Sequence, residues 1–299
     1  MLDIGPCTIP PRAAFGGAPQ RHRRVTQALH CCIVAEARYL AQAQPAGLMR
    51  ALRQQGMGVA LLDPGEDVLD VADASWLDGI DIVVARGRST DVLARLGAAE
   101  AAGVPTVNSR CDISAVVDKA HMATRLHAAR IPVPTTWIAT LQQLRLKIPA
   151  TAFPLILKPV FGDNCRGIQV VDTPAQLAAL EATEATVIAQ RFVPNSGFDT
   201  KLYAIGQQVW AVRKPSPLHA AAAGPPMLLP LRPAWRQLAL RCGAVFGLQL
   251  FGVDCIERCG ELQVIEVNDF PNYSGVPGAD ELLARHIENE ARKREGTTP

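Results

Sequence analysis

The segment Ile131-Pro132-Val133-Pro134 constrains this chain most, because two prolines so close together exclude both a helix and a central strand there. On its N-terminal side strands alternate with helices. Apolar runs at Cys31–Ala35, Val59–Leu62, Asp81–Ala85 and Val104–Asn108 read as short buried strands, the second ending in the Asp63-Pro64-Gly65 turn. Ala46–Gln55, and a segment capped by Ser89 and running to about Ala102, read as the helices between them. This alternation calls for a parallel open sheet, so residues 30–113 are expected to form a first α/β domain. Its working edge should lie at the strand carboxyl ends, near Arg86, Arg88 and Asn108.

A helix from about Ile113 to Ala129, carrying Lys119, runs up to the prolines, and beyond them the chain becomes strand-rich. Ala152–Pro159, Gly167–Val171, Ala185–Gln190, Lys201–Ile205 and Gln208–Val212 read as strands, with a helix around Pro174–Leu180. A helix at about Ala234–Phe246 then precedes the strands Gln249–Ile256 and Leu262–Asn268. This α+β pattern marks a second domain. The Ala-, Gly- and Pro-rich stretch Leu218–Pro233 reads as a loop over a site.

Composition narrows the function classes. At 299 residues and 48% hydrophobic the chain can bury a substantial core, and a net charge of +2 leaves little surplus for coating a polyanion, so no nucleic-acid partner is expected. The eight cysteines form no repeated C-x-x-C pair and read as reduced thiols. No run is long and apolar enough to span a bilayer, and no secretory core opens the chain, so the expectation is a cytoplasmic protein without a membrane partner. Residues 1–29, with Arg21, His22, Arg23 and Arg24, read as a flexible leader without assigned function.

Four units could carry chemistry. In the final hairpin, Glu266 and Asn268 point to one face of their strand while Ile265 and Val267 point to the other. An odd-numbered turn, such as Cys259-Gly260-Glu261, would place Asp254 opposite Glu266; an even one would separate them. Two facing carboxylates and an amide oxygen suit a hard divalent cation, and a solvated polar face reads equally well. Next, Lys158 ends an apolar strand before the loop Gly162-Asp163-Asn164-Cys165-Arg166-Gly167, a flap able to surround phosphate oxygens with an ammonium and backbone N–H groups. An edge-strand lysine before a hairpin loop reads structurally as well. Third, Gln190-Arg191-Phe192-Val193 runs into Pro194, leaving backbone groups that could read a base edge or simply end a strand. Fourth, Asp199, Lys201, Arg213 and Lys214 place alternating charges on two paired strands, either as a phosphoryl clamp or as salt-bridged edges. His121 and His127 match no ligand spacing on their helix, and neither a Walker loop nor a Gly-x-Gly-x-x-Gly fingerprint occurs.

The order helix lysine, strand lysine with flap, hinge, charged strands, then Asp followed by Glu-x-Asn resembles the ATP-grasp superfamily, in particular its α-L-glutamate ligase branch, over residues 30–280. Asp118-Lys119, the run Leu155 to Gly167, and Glu266-Val267-Asn268-Asp269-Phe270-Pro271 carry the resemblance. It implies a parallel-sheet pre-ATP-grasp domain (30–113) followed by a two-lobed ATP-grasp domain (114–299) with antiparallel sheets, its lobes being 114–190 and 191–285 and a C-terminal tail following. It further implies MgATP between the lobes, with Mn²⁺ an alternative ion. Lys119, Lys158 and the flap from Gly162 to Gly167 would meet phosphates, Gln190, Arg191, Phe192 and Val193 the adenine, Asp199 and Lys201 the rest of the nucleotide, and Asp254, Glu266 and Asn268 the metal. Arg191 stands where this family often has an acidic residue, and Asp163-Asn164-Cys165 where small residues are usual.

The implied activity is carboxylate–amine ligation through an acylphosphate, with Lys158 and Arg213 stabilising the transfer and Arg86 or Arg88 gripping the carboxylate. Val212-Arg213-Lys214-Pro215-Ser216 and the tail from Phe270 to Val276 resemble inositol polyphosphate kinases of the same superfamily, so phosphorylation of a small polyol or inositol phosphate is the alternative. Nucleotide binding without turnover is the third. The expected partners are small carboxylates and amines, and a homodimer is the commonest assembly on base rates.

Overall fold

A computed structural model describes residues 28–162, 167–181, 185–219, 223–258 and 260–295. Residues 1–27 of the leader, 163–166 of the flap, 220–222 of the long loop and Cys259 therefore lie outside the described residues. Among the described residues no helix is long and apolar enough to cross a membrane.

Strands β1 (His30–Ala35), β2 (Gly58–Leu62), β3 (Ile82–Arg86) and β4 (Thr106–Val107) form an all-parallel sheet in the order β2-β1-β3-β4. Helices α1 (Ala37–Leu40), α2 (Ala43–Gln54) and α3 (Thr90–Ala101) connect them, and Ser89 caps α3 by accepting from the Val92 N–H. The central strands are apolar without alternation because both faces are covered: Cys31, Ile33 and Ala35 pack with Leu48 and Leu52 of α2, while Cys32 and Val34 pack with Val92 and Leu96 of α3.

The helix expected from Ile113 to Ala129 is two helices, α4 (Arg110–Val117) and α5 (Lys119–Ala128). Asp118 leaves the helical region (φ −79°, ψ 100°), and its carboxylate accepts from the Ala120 and His121 N–H groups, each at 2.9 Å. Apolar periodicity continues across the break, but a capping aspartate restarts the helix, and Lys119 becomes the first residue of α5.

Strands β5 (Thr136–Ala139), β6 (Leu155–Pro159), β7 (Gln169–Val171) and β8 (Val187–Arg191) form an antiparallel sheet in the order β5-β8-β6-β7. Helices α6 (Leu141–Lys147) and α7 (Pro174–Ala179) cover one face, where Leu155, Leu157, Ala189 and Leu177 are buried together. The other face carries Ile156, Lys158, Ile188, Gln190 and Thr136 by the alternation of the strands. Neither β5 nor α6 is among the elements expected from the sequence.

The third sheet is antiparallel, with β9 (Phe198–Ile205), β10 (Gln208–Pro215), β11 (Met227–Leu229), β12 (Leu250–Arg258) and β13 (Glu261–Asp269) in the order β11-β10-β9-β12-β13. Helix α8 (Pro233–Phe246) packs on one face through Trp235, Leu238, Ala239, Cys242 and Phe246. β11 lies within the stretch read as a loop.

Where a C-terminal tail is expected after 285, residues 279–295 form a helix, α9 (Ala279–Glu295), which buries Leu283, Ala284, Ile287 and Ala291 against α2, β3 and β9. Four-residue spacing of these positions makes one apolar stripe on an otherwise charged helix. Full burial contributes about 1.5–3 kcal/mol for Leu283 and again for Ile287. The same apolar cluster contains Tyr203, Ile205, Leu250, Phe270 and Tyr273, so the parallel sheet and one face of the five-stranded sheet share a core.

Asn108 joins these two sheets. Its Oδ1 accepts from the Gln249 N–H (2.7 Å) and the Leu250 N–H (2.9 Å), and its Nδ2 donates to the Leu250 carbonyl (2.7 Å), with Asn108 itself 1% exposed. Asn108→Ala leaves buried N–H groups unmatched and is expected to destabilise the chain by about 2–3 kcal/mol, read as a lowered Tm in calorimetry. On α9, His286 sits 3.0 Å from Gln249 Oε1, and burial lowers its pKa below the usual imidazole range, with Lys293 acting in the same direction against Glu290. The unfolded chain therefore binds the extra proton first. Stability should fall as pH drops from about 6.5 toward the lowered value, and His286→Gln should flatten that slope in Tm-versus-pH curves.

Candidate active site

The site begins with a register irregularity in the last hairpin. Arg258 pairs with Glu261, which leaves an even-numbered connection, and Cys255 pairs with Val264; on that register Asp254 would miss Glu266. A β-bulge between Asp254 and Cys255 takes up Ile265 as the extra residue and restores Asp254↔Glu266. The expected pairing is present, but the bulge produces it rather than an odd turn. The bulge also moves Ile265 out of the core, so that Val264 and Val267 are buried with Leu262 instead.

Asp254 pairs on its other side with Lys201, so Lys201, Asp254 and Glu266 form one row across β9, β12 and β13. Like charges facing across a ladder destabilise it, and each carboxylate has a lysine to offset this. Lys201 Nζ lies 2.7 Å from Asp254 Oδ2, and Lys119 Nζ, at the start of α5, pairs with Glu266 Oε1. Burial works against the Lys201 charge, but Asp254 outweighs it and holds the ammonium above its ordinary pKa. Asn268, two residues beyond Glu266 on the same face, places Nδ2 3.4 Å from Asp254 Oδ2.

Lys214 and Asp199 pair in the adjoining row and lie on the face of Lys201. Burial raises the Asp199 pKa, opposed by a Ser216 side-chain hydrogen bond and reinforced by Asp254; Asn195 Nδ2 donates to its Oδ1 at 2.7 Å. Burial, then the Lys201 charge, lowers the Lys214 pKa. Arg213 does not join this group. It pairs with Thr200 and so projects from the opposite face, where its guanidinium lies 5.0 Å from the Phe198 ring centroid and Nη2 is 3.8 Å from Met227 Sδ. Which of two consecutive cations faces the carboxylates is a matter of register, and composition does not reveal it.

Across from β13, the uncovered face of the four-stranded sheet completes a cleft. Lys119, Lys158, Gln190 and Glu266 line it with Met122, Leu126, Val133, Thr136, Ile188 and Ile265. The cleft is apolar along its walls and carries two ammonium groups and one carboxylate. Lys158 Nζ donates to Gln190 Oε1 at 2.8 Å, and both side chains are buried. Thr136, Met122 and Ile265 were not among the residues singled out from sequence; the β-branched run Thr135-Thr136 before Trp137 is the signal for β5 that carries Thr136.

The hinge differs from expectation. The Arg191 N–H donates to the Thr135 carbonyl (2.8 Å) and the Phe192 N–H to the Pro154 carbonyl (2.9 Å), so neither is open to a base. The Arg191 side chain turns outward to the Thr151 carbonyl at 3.2 Å, whereas Val193 is buried. Of the flap, Gly162 and Gly167 are described; Gly167 has φ +74°, a conformation that favours glycine.

Arg86 and Arg88 are at the carboxyl end of β3, as expected, but both are engaged. Arg88 Nη2 lies 2.6 Å from Asp269 Oδ1, with that carboxylate 2% exposed. Arg86 is buried over the Tyr39 ring at 3.9 Å, with Nη2 3.3 Å from Gln42 Oε1 and from Asn272 Oδ1.

Asp254, Glu266 and Asn268 supply only hard oxygen donors, which fits Mg²⁺ or Mn²⁺. Among the described residues no group of three or more His, Cys, Asp or Glu side chains is placed to hold a metal ion; a cation on Asp254 and Glu266 would take a third protein oxygen from the Asn268 amide.

Comparison with known proteins bears on the family and the fold. The RimK-like ATP-grasp domain matches residues 116–279. A "Probable alpha-L-glutamate ligase" of Thioalkalivibrio sulfidiphilus is 27% identical over 281 residues, covering 82% of this chain and 91% of that protein. The tetrahydromethanopterin:alpha-L-glutamate ligase of Methanococcus maripaludis is 29% identical over 203 residues, covering 63% of this chain and 69% of its own length. The fold is similar to that of a RimK domain ATP-grasp protein from Sphaerobacter thermophilus (TM-score 0.68, 22% identity, 85% of this chain and 98% of that one). It is also similar to D-alanine–D-alanine ligase from Bacillus anthracis (TM-score 0.68, 15% identity, 91% and 100%). With the matched domain spanning more than half of its length, and the lysines and carboxylates of the cleft within that span, the chain belongs to the RimK-like ATP-grasp family.

Proposed function

We propose that the chain is an ADP-forming ligase that joins a small carboxylate to an amine. The observation that carries this reading is the convergence of Lys119, Lys158, Gln190 and Glu266 on one cleft, directly beside the Lys201–Asp254 pair. Two ammonium groups on an otherwise apolar cleft suit a nucleotide triphosphate, with the base between the sheets and the phosphates at the lysines. The names of the glutamate-ligase relatives support a carboxylate and an amine as the other substrates.

In this reading the γ-phosphoryl group passes to an oxygen of the substrate carboxylate, breaking the bond to the β-phosphate and giving an acylphosphate and ADP. The amine attacks the acyl carbon, phosphate departs, and the nitrogen loses a proton. Lys119 and Lys158 hold phosphate oxygens between Gly162 and Gly167 at the flap ends, and Asp199 and Lys201 hold the ribose and neighbouring phosphate. Because the Arg191 and Phe192 N–H groups are occupied, the adenine edge falls to Val193 and to carbonyl oxygens of the hinge. Asp254, Glu266 and Asn268 would hold Mg²⁺ or Mn²⁺, which supplies charge neutralisation on the transferring phosphoryl group. Lys119 and Lys201 then serve as counter-charges that shift from carboxylate to phosphate as nucleotide enters.

We assign the transition-state cation on the five-stranded sheet to Lys214 rather than Arg213, since Lys214 faces Asp199 and the row of Lys201. Arg86 and Arg88 are assigned to fixing Asp269 and Asn272 beside the site rather than to gripping substrate.

Incubation with MgATP, amino acids, small carboxylates and amines should release ADP and free phosphate in equal amounts, with a new amide mass that depends on the amine. ADP without free phosphate, and an acceptor heavier by one phosphoryl group, would make the protein a kinase. Glu266→Ala should lower turnover by at least about 100-fold while ATP still binds, measured by ADP release and by calorimetry; unchanged turnover refutes the metal assignment.

A further inference from the structure

Lys158, Gln190 and Thr136 stand on three adjacent strands and face the same cleft, with Gln190 in register with Thr136 on β5 and with Ile156 on β6. They form a directed hydrogen-bond chain. Lys158 Nζ donates to Gln190 Oε1 (2.8 Å), Gln190 Nε2 donates to Thr136 Oγ1 (3.1 Å), and Thr136 Oγ1 donates to the Pro134 carbonyl (2.8 Å). Lys158 and Gln190 are only 8% and 6% exposed, so water is a poor substitute for either partner.

The far end forces the direction. A carbonyl oxygen can only accept, so the single hydroxyl proton of Thr136 is committed to Pro134, and its oxygen is left to accept. Gln190 must then turn its NH₂ to Thr136 and its carbonyl oxygen to the Lys158 ammonium. With the carboxamide reversed, two N–H donors would point at a cation. The hydroxyl and the ammonium therefore select the same one of two amide orientations that differ little in shape, and the hydroxyl holds its Thr136 end.

We propose that Thr136 is a positioning residue for the nucleotide: through Gln190 it holds the Lys158 ammonium at the place where phosphate oxygens bind. The inference rests on the nucleotide reading of the cleft. It also gives the second proline of Ile131-Pro132-Val133-Pro134 a role beyond ending a helix, since the Pro134 carbonyl anchors the chain of bonds.

Thr136→Val removes the hydroxyl and keeps the shape; Thr136→Ser keeps the hydroxyl. Calorimetric titration of the full chain with Mg²⁺ plus a non-hydrolysable ATP analogue, and separately with adenosine, separates phosphate binding from base binding. Thr136→Val should bind the analogue about tenfold more weakly, with adenosine affinity unchanged, and Thr136→Ser should restore the analogue affinity to within about twofold. Should Thr136→Val not fold, Thr136→Ala must show the same selective loss. Equal analogue affinity in wild type and Thr136→Val, or parallel loss of analogue and adenosine without rescue by serine, overturns the inference. A wild-type chain that binds no analogue overturns the nucleotide reading, and this inference with it.

Discussion

Two carboxylates held face to face across an antiparallel ladder are the constraint on which the rest of this site depends. Asp254 and Glu266 repel each other in that position, and a sheet keeps such a pair only when positive charge comes from elsewhere. Here it comes from two unconnected elements: Lys201 on the neighbouring strand β9, and Lys119 on α5, whose position follows from the cap at Asp118. The repulsion thus draws a helix and the edge of the five-stranded sheet together. An ion pair that is partly exposed contributes modestly to stability, so its main consequence is an arrangement of exchangeable charges rather than a rigid strut.

The cleft follows from how the sheets are covered. Helices α6 and α7 take one face of the four-stranded sheet, leaving Lys158, Gln190 and Thr136 on the other, opposite β13. α8 takes one face of the five-stranded sheet, and the parallel sheet with α9 takes part of the other. What remains uncovered is the slot between the two antiparallel sheets. Asn108, Arg86 and Arg88 tie the parallel sheet to the strand ends and C-terminal segment beside that slot, and of these Arg86 and Arg88 are the residues that the sequence suggests as grips for the carboxylate.

Much of this is legible in the residue order. Period-two alternation placed Glu266 and Asn268 on one face, and the break at the two prolines marks the passage from parallel to antiparallel sheets. Features that depend on backbone adjustments were not legible. The bulge that takes up Ile265 has no glycine to announce it, and from residue order alone the Asp254–Glu266 pairing hangs on an odd-numbered turn that the chain does not have. Asp118 interrupts a helix whose apolar period continues past it, and α9 hides its apolar stripe among charges. Arg213 and Lys214 are adjacent, and only the strand register decides which of them faces Asp199. Thr136 lies in a strand too short to assert itself next to prolines, and its importance depends on a hydrogen-bond direction that no spacing encodes.

The central claim is that the charges now paired at and beside the cleft are those that receive a metal–nucleotide complex. A crystal structure of the chain with Mg²⁺ and a non-hydrolysable ATP analogue tests it most directly. The account predicts phosphates between Lys119 and Lys158, the ion on Asp254, Glu266 and Asn268, and the Lys119–Glu266 contact opened. Nucleotide bound elsewhere, or bound with both lysine–carboxylate pairs intact, would contradict it.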